Sequence, residues 1–352
     1  MLPEMYVPFE LRLSPHVETA RESAVDWSHK MGITTEGVWN EQSLHDYDLA
    51  LCAAGINPTG PAEELELGTH WLVWGTYGDD FYPKVFGRDY AAARTSNARL
   101  KALLPVELSV PSVLPANALE RALADLWVRT AGPLAVHERR MFRHAVEKMI
   151  DSWLWEQDNH RLNRIPDPVD YVEMRRRTFG SDMTMSLARI SRLSVLPAAV
   201  YRTRPVQSME NSMMDCACLI NDMFSYRKEI EFEGEVHNSV LVVRNFLGCT
   251  QDRAFEVVND LLTARMRQFE HVVAQELPAL VTDMALDQAA RAALDSYVQQ
   301  LQDWVAAIIN WHRKCHRYAD ADLERKELVP APARAGALTG LGTSAARVLT
   351  SR

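Results

Sequence analysis

Apolar side chains recur along most of the chain at alternating intervals of three and four residues, the spacing of one α-helical face. One such stripe follows Ser14-Pro15, which predicts a helix with a serine cap and a proline in its first turn. Its apolar members are Val17, Ala20, Ala24, Trp27 and Met31. A second stripe extends over 25 residues and consists of Leu294, Tyr297, Leu301, Trp304, Ile308, Trp311, Cys315 and Tyr318. Apart from an ambiguous β-branched run at Val240–Val243, no segment has the period of two that marks strands. We therefore predict an all-α architecture around one interior.

Composition narrows the possible compartments and partners. The chain has 352 residues, and its 47% of hydrophobic residues suffice for one large core. An excess of acidic over basic residues gives a net charge of −9, which argues against a nucleic-acid partner. No apolar run reaches the ~18 residues that a membrane span requires, and the first residues do not form a secretory signal. Five cysteines do not suggest a disulfide framework, so we expect a cytoplasmic protein.

The last part of the chain differs from the rest. Residues 329–352 are rich in Ala, Gly, Pro and Thr and contain no acidic side chain. This composition is typical of a flexible tail or a linker stub. We therefore divide the chain into one catalytic domain at residues 1–328 and a tail at residues 329–352.

Two adjacent carboxylates, Asp79 and Asp80, directly follow the aromatic stretch Trp71–Gly78. Adjacent carboxylates repel each other, and burying both without a cation is costly. A hard divalent cation such as Mg²⁺ prefers oxygen ligands and would remove that cost. The alternative is a helix that ends in solvent before Pro83, with both aspartates exposed.

Three oxygen-bearing side chains, Asn221, Ser225 and Glu229, follow each other at intervals of four residues. Four residues advance about 400° around an α-helix, so the three side chains stack on one face. An amide oxygen, a hydroxyl and a carboxylate together suit one Mg²⁺ ion with water completing an octahedron. Lys228 adds a positive charge that suits a phosphate. A polar stripe on a surface helix is the alternative.

A run of three arginines precedes a predicted helix break. Asp167-Pro168 predicts the start of a helix that carries Arg175–Arg177 and ends at Thr178-Phe179-Gly180, after which Ser181-Asp182 caps the next helix. Three consecutive residues fan over about 200° of a helix, so at least one arginine points inward or toward an anion. A charged helix end followed by an ordinary turn is the alternative.

The second apolar stripe ends in a basic and aromatic pair, Arg317 and Tyr318. Trp311 and Tyr318 are seven residues apart and share a helical face. Arg317, next to that face, suits a diphosphate or a carboxylate. The alternative is a basic amphipathic helix with a solvated charged edge.

These motifs, in this order along the chain, resemble those of bacterial class I terpene synthases. Asp79-Asp80 is similar to the aspartate-rich motif of that family. Arg175, 46 residues before Asn221, stands where the pyrophosphate-sensing arginine is expected, with the helix break behind it. The ladder from Asn221 to Glu229 matches the second metal motif in full, and Arg317-Tyr318 matches the C-terminal pair.

Within that family, the chain is most similar to the C-terminal half of germacradienol/geosmin synthases. This resemblance is carried by Tyr77–Gly87, Glu173–Asp182, Tyr226–Val243 and Met266–Val273. It extends from about residue 2 to residue 328. It implies a single class I terpene synthase helical bundle, an α-barrel with a central active-site cavity.

The resemblance also implies roles for individual residues. The implied Mg²⁺ ligands, for a three-ion cluster, are Asp79, Asp80, Asn221, Ser225 and Glu229. The implied anion-binding residues, with pyrophosphate as the candidate anion, are Arg175, Lys228, Arg317 and Tyr318. The candidate catalytic residues are Arg175, Phe179, Trp311 and Tyr318, and we expect Phe179 and Trp311 at the cavity wall.

Two departures from the general family pattern bear on the substrate. Pro83 and Lys84 stand where a third acid usually follows the aspartate pair. Gly75 and Thr76 stand one turn before the pair, where cyclases that ionise farnesyl diphosphate often carry aromatic residues. An aromatic face stabilises a nearby desolvated cation by up to ~2 kcal/mol. Both departures resemble the C-terminal half named above, whose substrate carries no diphosphate.

We therefore expect a Mg²⁺-dependent lyase of the terpene synthase family that converts germacradienol to geosmin. The implied steps are protonation, retro-Prins fragmentation with release of acetone, a hydride shift and capture of water. A sesquiterpene cyclase that ionises farnesyl diphosphate is the first alternative, and a non-catalytic helical binding domain is the second. The expected partner is a small terpenoid, with an N-terminal terpene synthase domain or a second copy as the candidate protein partner.

Overall fold

A computed structural model of the chain describes residues 2–109, 112–190, 192 and 194–319, and every regular element within these residues is helical. The α-helices are α1 (Val17–Met31), α2 (Glu41–Tyr47), α3 (Leu49–Ile56), α4 (Ala62–Phe86), α5 (Tyr90–Ala102), α6 (Ala118–Ala131), α7 (Val136–Arg161), α8 (Pro168–Thr178), α9 (Ser181–Ile190), α10 (Arg204–Tyr226), α11 (Ser239–Leu247), α12 (Gln251–His271), α13 (Leu277–Asp283) and α14 (Gln288–Lys314). A 3₁₀ turn covers Val200–Arg202, and π-helical segments at Arg227–Phe232 and Val272–Glu276 continue α10 and α12. The all-α prediction is confirmed. The predicted tail at 329–352 lies outside the described residues.

The helices pack around a cavity. Helix α10 contacts α11, α12 and α14, and α14 also contacts α3. Helix α4 packs against α1, α3, α6 and α7, while α7 packs against α5, α8 and α9. One continuous cluster of buried apolar residues extends from Met5 to Cys315. Among the described residues, no helix combines the length and the apolar character that a bilayer crossing requires.

The first predicted stripe is buried from Ala20 to Met31, but its helix starts later than predicted. Helix α1 begins at Val17 after His16, which provides no side-chain cap. Ser14 instead accepts a hydrogen bond from the His16 amide at 3.3 Å, and its own amide donates to the Ala54 carbonyl at 3.0 Å. The predicted serine cap is therefore wrong, because Ser14 docks the entry turn onto α3.

The second predicted stripe extends beyond the end of its helix. Helix α14 ends at Lys314, and Cys315 has extended backbone angles of −72° and 154°. The prediction that Tyr318 shares a helical face with Trp311 is therefore wrong, because Tyr318 lies beyond the helix. The two rings still meet edge to face, with their centroids 5.8 Å apart. The chain turns back at this point, where the His316 amide donates to the Asp46 carbonyl at 2.7 Å. This turn brings the following arginine into the cavity.

The predicted break between two helices is confirmed. The Asp167 carboxylate accepts a hydrogen bond from the Val169 amide at 2.9 Å and begins α8, with Pro168 in its first turn. Gly180 has a φ of 75°, a left-handed conformation that a side chain would strain. Helix α9 then begins at Ser181. The ambiguous run at Val240–Val243 is also helical, within α11.

A buried histidine predicts how stability depends on pH. His70 on α4 stacks on Trp27 at 4.4 Å, and its Nδ1 lies 2.9 Å from the Arg129 guanidinium. Burial, and then the charge of Arg129, lower the pKa of His70 to about 4. The unfolded chain, with a histidine pKa of about 6.5, therefore binds more protons than the fold between these values. The contribution of neutral His70 to stability is thus lost as the pH falls through this window.

We expect the free energy of unfolding, measured by urea titration, to fall by about 2 kcal/mol between pH 7 and pH 5 through this group. The variant His70→Gln should lack this part of the pH dependence. The matched control is His29→Gln, a change at an exposed position on α1. Equal pH slopes in the His70→Gln variant and the unaltered chain would contradict the assignment.

Candidate active site

The cavity has a volume of about 440 Å³ and is enclosed by side chains of α3, α4, α7, α10 and α14 and of the break between α8 and α9. Apolar side chains, among them Trp71, Trp153 and Trp304, form part of its wall. Most of the polar and charged side chains predicted from the sequence as site residues also line it. These are Asp79, Asp80, Arg175, Asn221, Lys228, Glu229 and Arg317. Helices that are distant in sequence thus bring the predicted residues together.

Asp80 and Arg317 form a buried ion pair across the cavity. The Arg317 Nη1 and Nη2 atoms donate to the two carboxylate oxygens at 2.9 and 2.8 Å. Trp39 Nε1 donates to the same carboxylate at 2.7 Å. Burial opposes the ionisation of Asp80, but the charge and hydrogen bonds of Arg317 outweigh it and hold the pKa well below its ordinary value. Asp80 therefore orients Arg317, and both of its carboxylate oxygens have protein partners.

Asp79 has a different environment from its neighbour. Its side chain is 46% exposed, and its carboxylate lies 3.9 Å from Arg317 Nη2, too far for a hydrogen bond. Enclosure in the cavity, and then the charge of Asp80, raise the pKa of Asp79 to about 6. The two adjacent aspartates are thus electrostatically distinct, and Asp79 is the one available to a ligand.

The amide of Asn221 is oriented by His312. The His312 Nδ1 atom lies 2.7 Å from the Ile308 carbonyl, which places the ring proton on that nitrogen. His312 Nε2 therefore accepts from Asn221 Nδ2 at 2.9 Å, and the Tyr318 hydroxyl lies 3.3 Å from the same nitrogen. The Asn221 Oδ1 atom consequently faces the other way, where Arg175 Nη2 donates to it at 2.5 Å.

Ser225 and Glu229 meet at Asn238, the residue that caps α11. Asn238 Nδ2 donates to Glu229 Oε2 at 2.9 Å and lies 3.5 Å from Ser225 Oγ. Ser225 is fully buried behind the cavity wall, whereas Glu229 lines the cavity. Burial, and then the charge of Asp222, raise the pKa of Glu229 to about 7.

Glu229 and Lys228 belong to the π-helical segment, not to the regular α-helix. The Glu233 amide donates to the Lys228 carbonyl at 3.0 Å, which is the i to i+5 bond of a π-helix. The wider turn changes the direction of the side chains relative to an unbroken α-helix. The Lys228 Nζ atom is paired with Glu233 Oε2 at 2.6 Å.

Arg175 is the arginine of its cluster that lines the cavity. Its Nε donates to Asp222 Oδ1 at 2.8 Å. The other Asp222 oxygen accepts from the Tyr171 hydroxyl at 2.7 Å and from the Ser239 amide at 2.9 Å. Arg176 is likewise engaged, by Asp215 on α10. Arg175 and Arg176 are therefore both held by carboxylates of α10, and Arg175 is the one that lines the cavity.

The two aromatic residues expected at the cavity wall both line the cavity. The centroid of the Phe179 ring lies 5.4 Å from the Cζ atom of Arg175. Trp311 Nε1 donates to the Tyr47 carbonyl at 2.6 Å, which fixes the indole against α2. Tyr318 also lines the cavity, and its ring stacks on His312 at 5.1 Å.

The residues around Asp79 and Glu229 fit a hard divalent cation. Both carboxylates line one cavity with raised pKa values, and a bound cation would favour their ionised forms. Together with Asn221, which also lines the cavity, they make an all-oxygen donor set, which suits Mg²⁺. Ser225, predicted as a further ligand, does not line the cavity. In the part of the chain that the structure describes, no three His, Cys, Asp or Glu side chains are grouped to hold a metal alone. Amide, hydroxyl, water or substrate oxygens must therefore complete such a site.

Several site residues were missed by the sequence analysis. Asp222 is completely buried and joins α8, α10 and α11. The only feature of the sequence that could have indicated this role is its position next to Asn221. Asn238 supports two of the ladder residues from a different element. Glu156, Glu235 and His237 also line the cavity, and they belong to none of the motifs.

Comparison with known proteins identifies the family of this chain. The family model described as "Terpene synthase family 2, C-terminal metal binding" matches residues 70–268. The pristinol synthase of Streptomyces pristinaespiralis is 25% identical over 321 residues, which cover 90% of this chain and 85% of that protein. The (+)-T-muurolol synthase ((2E,6E)-farnesyl diphosphate cyclizing) of Roseiflexus castenholzii is 27% identical and covers 93% of this chain and 96% of that protein.

A solved structure supports the same fold. The crystal structure of a-eudesmol synthase superposes with a TM-score of 0.77 at 21% identity, covering 88% of this chain and 99% of that one. At this identity the likeness concerns the fold alone. The family match covers more than half of the chain and includes Asp79, Asp80 and the residues from Asn221 to Glu229, so the chain belongs to terpene synthase family 2.

Proposed function

We propose that the chain is a Mg²⁺-dependent sesquiterpene cyclase that ionises farnesyl diphosphate. The observation that carries this proposal is the buried Nε of Arg317, which has no hydrogen-bond partner among the described residues. Leaving a buried donor unpaired costs about 1–3 kcal/mol, and more for a charged group. A diphosphate oxygen is a suitable acceptor, because a guanidinium pairs readily with phosphate.

The charges in the cavity support a division of roles. Asp79, Asn221 and Glu229, which line the cavity, are the proposed Mg²⁺ ligands. Ser225, behind the wall, would join them only after a rearrangement of its side chain. Bound Mg²⁺ would neutralise the charge of the diphosphate leaving group. Arg175, Lys228 and Arg317, with Tyr318, would hold that anion. We assign Asp80 a different role from the one the family motif implies, because it orients Arg317. Asp222 orients Arg175 in the same way.

The hydrocarbon chain of the substrate would occupy the rest of the cavity. Trp71, Trp304, Trp311 and Phe179 contribute to its wall and would exclude bulk water from a carbocation. Aromatic faces also stabilise a desolvated cation. The name of the Roseiflexus relative supports this substrate, because that enzyme is described as farnesyl diphosphate cyclizing.

Conversion of germacradienol to geosmin is the second candidate function. It is favoured by the wall beside Asp79, where Gly75 and Thr76 line the cavity without an aromatic ring. Lys84 lies at the expected position of a third acid, and its Nζ donates to the Val38 carbonyl at 3.1 Å. The relatives reported above favour the farnesyl diphosphate cyclase over this candidate. An unreactive helical binding domain is disfavoured by the arrangement of charged groups in the cavity.

The two candidates make opposite predictions in one experiment. The chain is incubated with Mg²⁺ and either farnesyl diphosphate or germacradienol, and products are identified by gas chromatography with mass spectrometry. We expect cyclised products and released diphosphate in the incubation with farnesyl diphosphate, and no product in the incubation with germacradienol. Geosmin and acetone from germacradienol, with no turnover of farnesyl diphosphate, would overturn the proposal in favour of the second candidate. Inactivity on both substrates without Mg²⁺ binding would favour a binding domain.

We also propose that residues 1–328 act as one catalytic unit. The support is that groups from Asp79 to Arg317 meet in a single cavity. The cytoplasmic location, the three-ion cluster and the partner domain or second copy stay predictions.

A further inference from the structure

The cavity has a second group of polar side chains that the proposed metal and anion sites do not use. The polar corner, as we call it, consists of Glu156 and His160 on α7 and Glu235 and His237 in the loop before α11. All four residues line the cavity. Asn238, which supports Glu229, directly follows His237, so the polar corner adjoins the ladder.

His237 is arranged as a hydrogen-bond acceptor. Its Nδ1 lies 3.5 Å from Glu235 Oε2, and its ring packs against Trp155 at 5.2 Å. A carboxylate beside Nδ1 favours the tautomer that carries its proton on that nitrogen. The Nε2 atom then holds the free lone pair. It is buried and has no hydrogen-bond partner among the described residues.

His160 has a similar unpaired atom. Its Nδ1 is buried and has no hydrogen-bond partner in the described part of the chain. A buried polar atom without a partner costs about 1–3 kcal/mol. Such atoms are usually met by water or by a ligand. A water or alcohol oxygen can both donate and accept, so it suits two imidazoles better than a hydrocarbon does.

Burial keeps the His237 imidazole neutral, with its Nε2 lone pair free. The groups that act on His237 are Glu235, which favours the protonated ring, and His160 and Arg175, which disfavour it. Burial is the largest influence, and the pKa of His237 lies below its ordinary value. A histidine that is neutral at the working pH can accept a proton as a general base.

We propose that the polar corner binds the water that ends the reaction and that His237 Nε2 takes its proton, so that the product is a terpene alcohol. This inference rests on the proposed farnesyl diphosphate cyclase. Diphosphate leaves with the electron pair of its C–O bond, and the final carbocation accepts an electron pair from the water oxygen. The new C–O bond forms as one water proton moves to His237. The net reaction converts prenyl diphosphate and water to alcohol and diphosphate, without oxidation or reduction.

The test uses the full chain with Mg²⁺ and farnesyl diphosphate in ¹⁸O-labelled water. Released diphosphate is assayed, and the products are analysed by gas chromatography with mass spectrometry. We expect an alcohol that carries the ¹⁸O label as the main product. The variant His237→Phe keeps a ring against Trp155 but removes the base, and should lower the ratio of alcohol to hydrocarbon by at least about tenfold. Glu235→Gln should lower the same ratio in the same direction.

The matched control is His137→Phe, at an exposed position on α7, which should leave the product ratio unchanged. Melting temperatures identify variants that fail to fold, and the labelling result of the unaltered chain does not depend on any variant. Diphosphate release with only hydrocarbons, or an alcohol without the label, would overturn this inference and leave the proposed function intact. An unchanged product ratio in folded His237→Phe and Glu235→Gln would overturn the role of His237. No diphosphate release would overturn the proposed function, and this inference with it.

Discussion

The variant Glu229→Gln is expected to lower kcat/KM for farnesyl diphosphate by at least about a hundredfold, because it removes the one carboxylate of the ladder. Glutamine preserves the size of the side chain and an acceptor for Asn238 Nδ2, which now donates to Glu229 at 2.9 Å. The change should therefore act on cation binding and leave the local packing intact. Steady-state kinetics at saturating and limiting Mg²⁺ measure the effect. Calorimetric titration of Mg²⁺ with pyrophosphate present gives a second measurement, independent of turnover.

The control for this variant is Glu231→Gln on the same π-helical segment. Glu231 is 41% exposed and is paired with Arg227 at 3.4 Å, so its charge acts in solvent. It should leave both kcat/KM and Mg²⁺ affinity unchanged. If Glu229→Gln binds Mg²⁺ as tightly as the unaltered chain does, then Glu229 is not a metal ligand.

The variant Asp222→Ala is expected to lower the free energy of unfolding by about 3–5 kcal/mol. Asp222 is completely buried, and its two oxygens accept hydrogen bonds from Arg175, Tyr171 and the Ser239 amide. Its removal leaves the buried Arg175 guanidinium without its main counter-charge. Urea unfolding followed by circular dichroism measures the loss as a shift in the midpoint.

An exposed ion pair supplies the comparison. Glu256 lies 2.7 Å from Arg253, and both side chains are more than half exposed. Exposed pairs of this kind contribute about 0–1 kcal/mol, so Glu256→Ala should shift the urea midpoint little. Similar decreases in the free energy of unfolding for Asp222→Ala and Glu256→Ala would show that the buried contacts of Asp222 do not stabilise the fold.

The sequence predicts local features of this fold well, because they depend on nearest neighbours along the chain. The stripe from Ala20 to Met31 indicates the buried face of α1, and Asp167 and Gly180 mark both ends of the segment around α8. The spacing from Asn221 to Glu229 likewise predicts that oxygen-bearing side chains share one side of α10 and its continuation.

The remaining features depend on contacts between distant segments. Counting residues on an α-helix cannot reveal that Glu229 lies on a π-helical turn. The different environments of Asp79 and Asp80 are set by Arg317, which is 237 residues away from Asp80. His237 and Glu235 lie in a loop without helical periodicity, so no pattern indicates that they face the cavity.

The ion pair of Asp80 with Arg317 has a consequence for biosynthesis. A chain on the ribosome can form α4 and most of the other helices long before residue 317 has been made. Until then Asp80 lacks its counter-charge, and the cavity lacks the Arg317 guanidinium. Contacts of such long sequence separation also form late and slow folding. A nascent chain therefore acquires the complete set of charged groups around the cavity only after nearly all of the described residues have been synthesised.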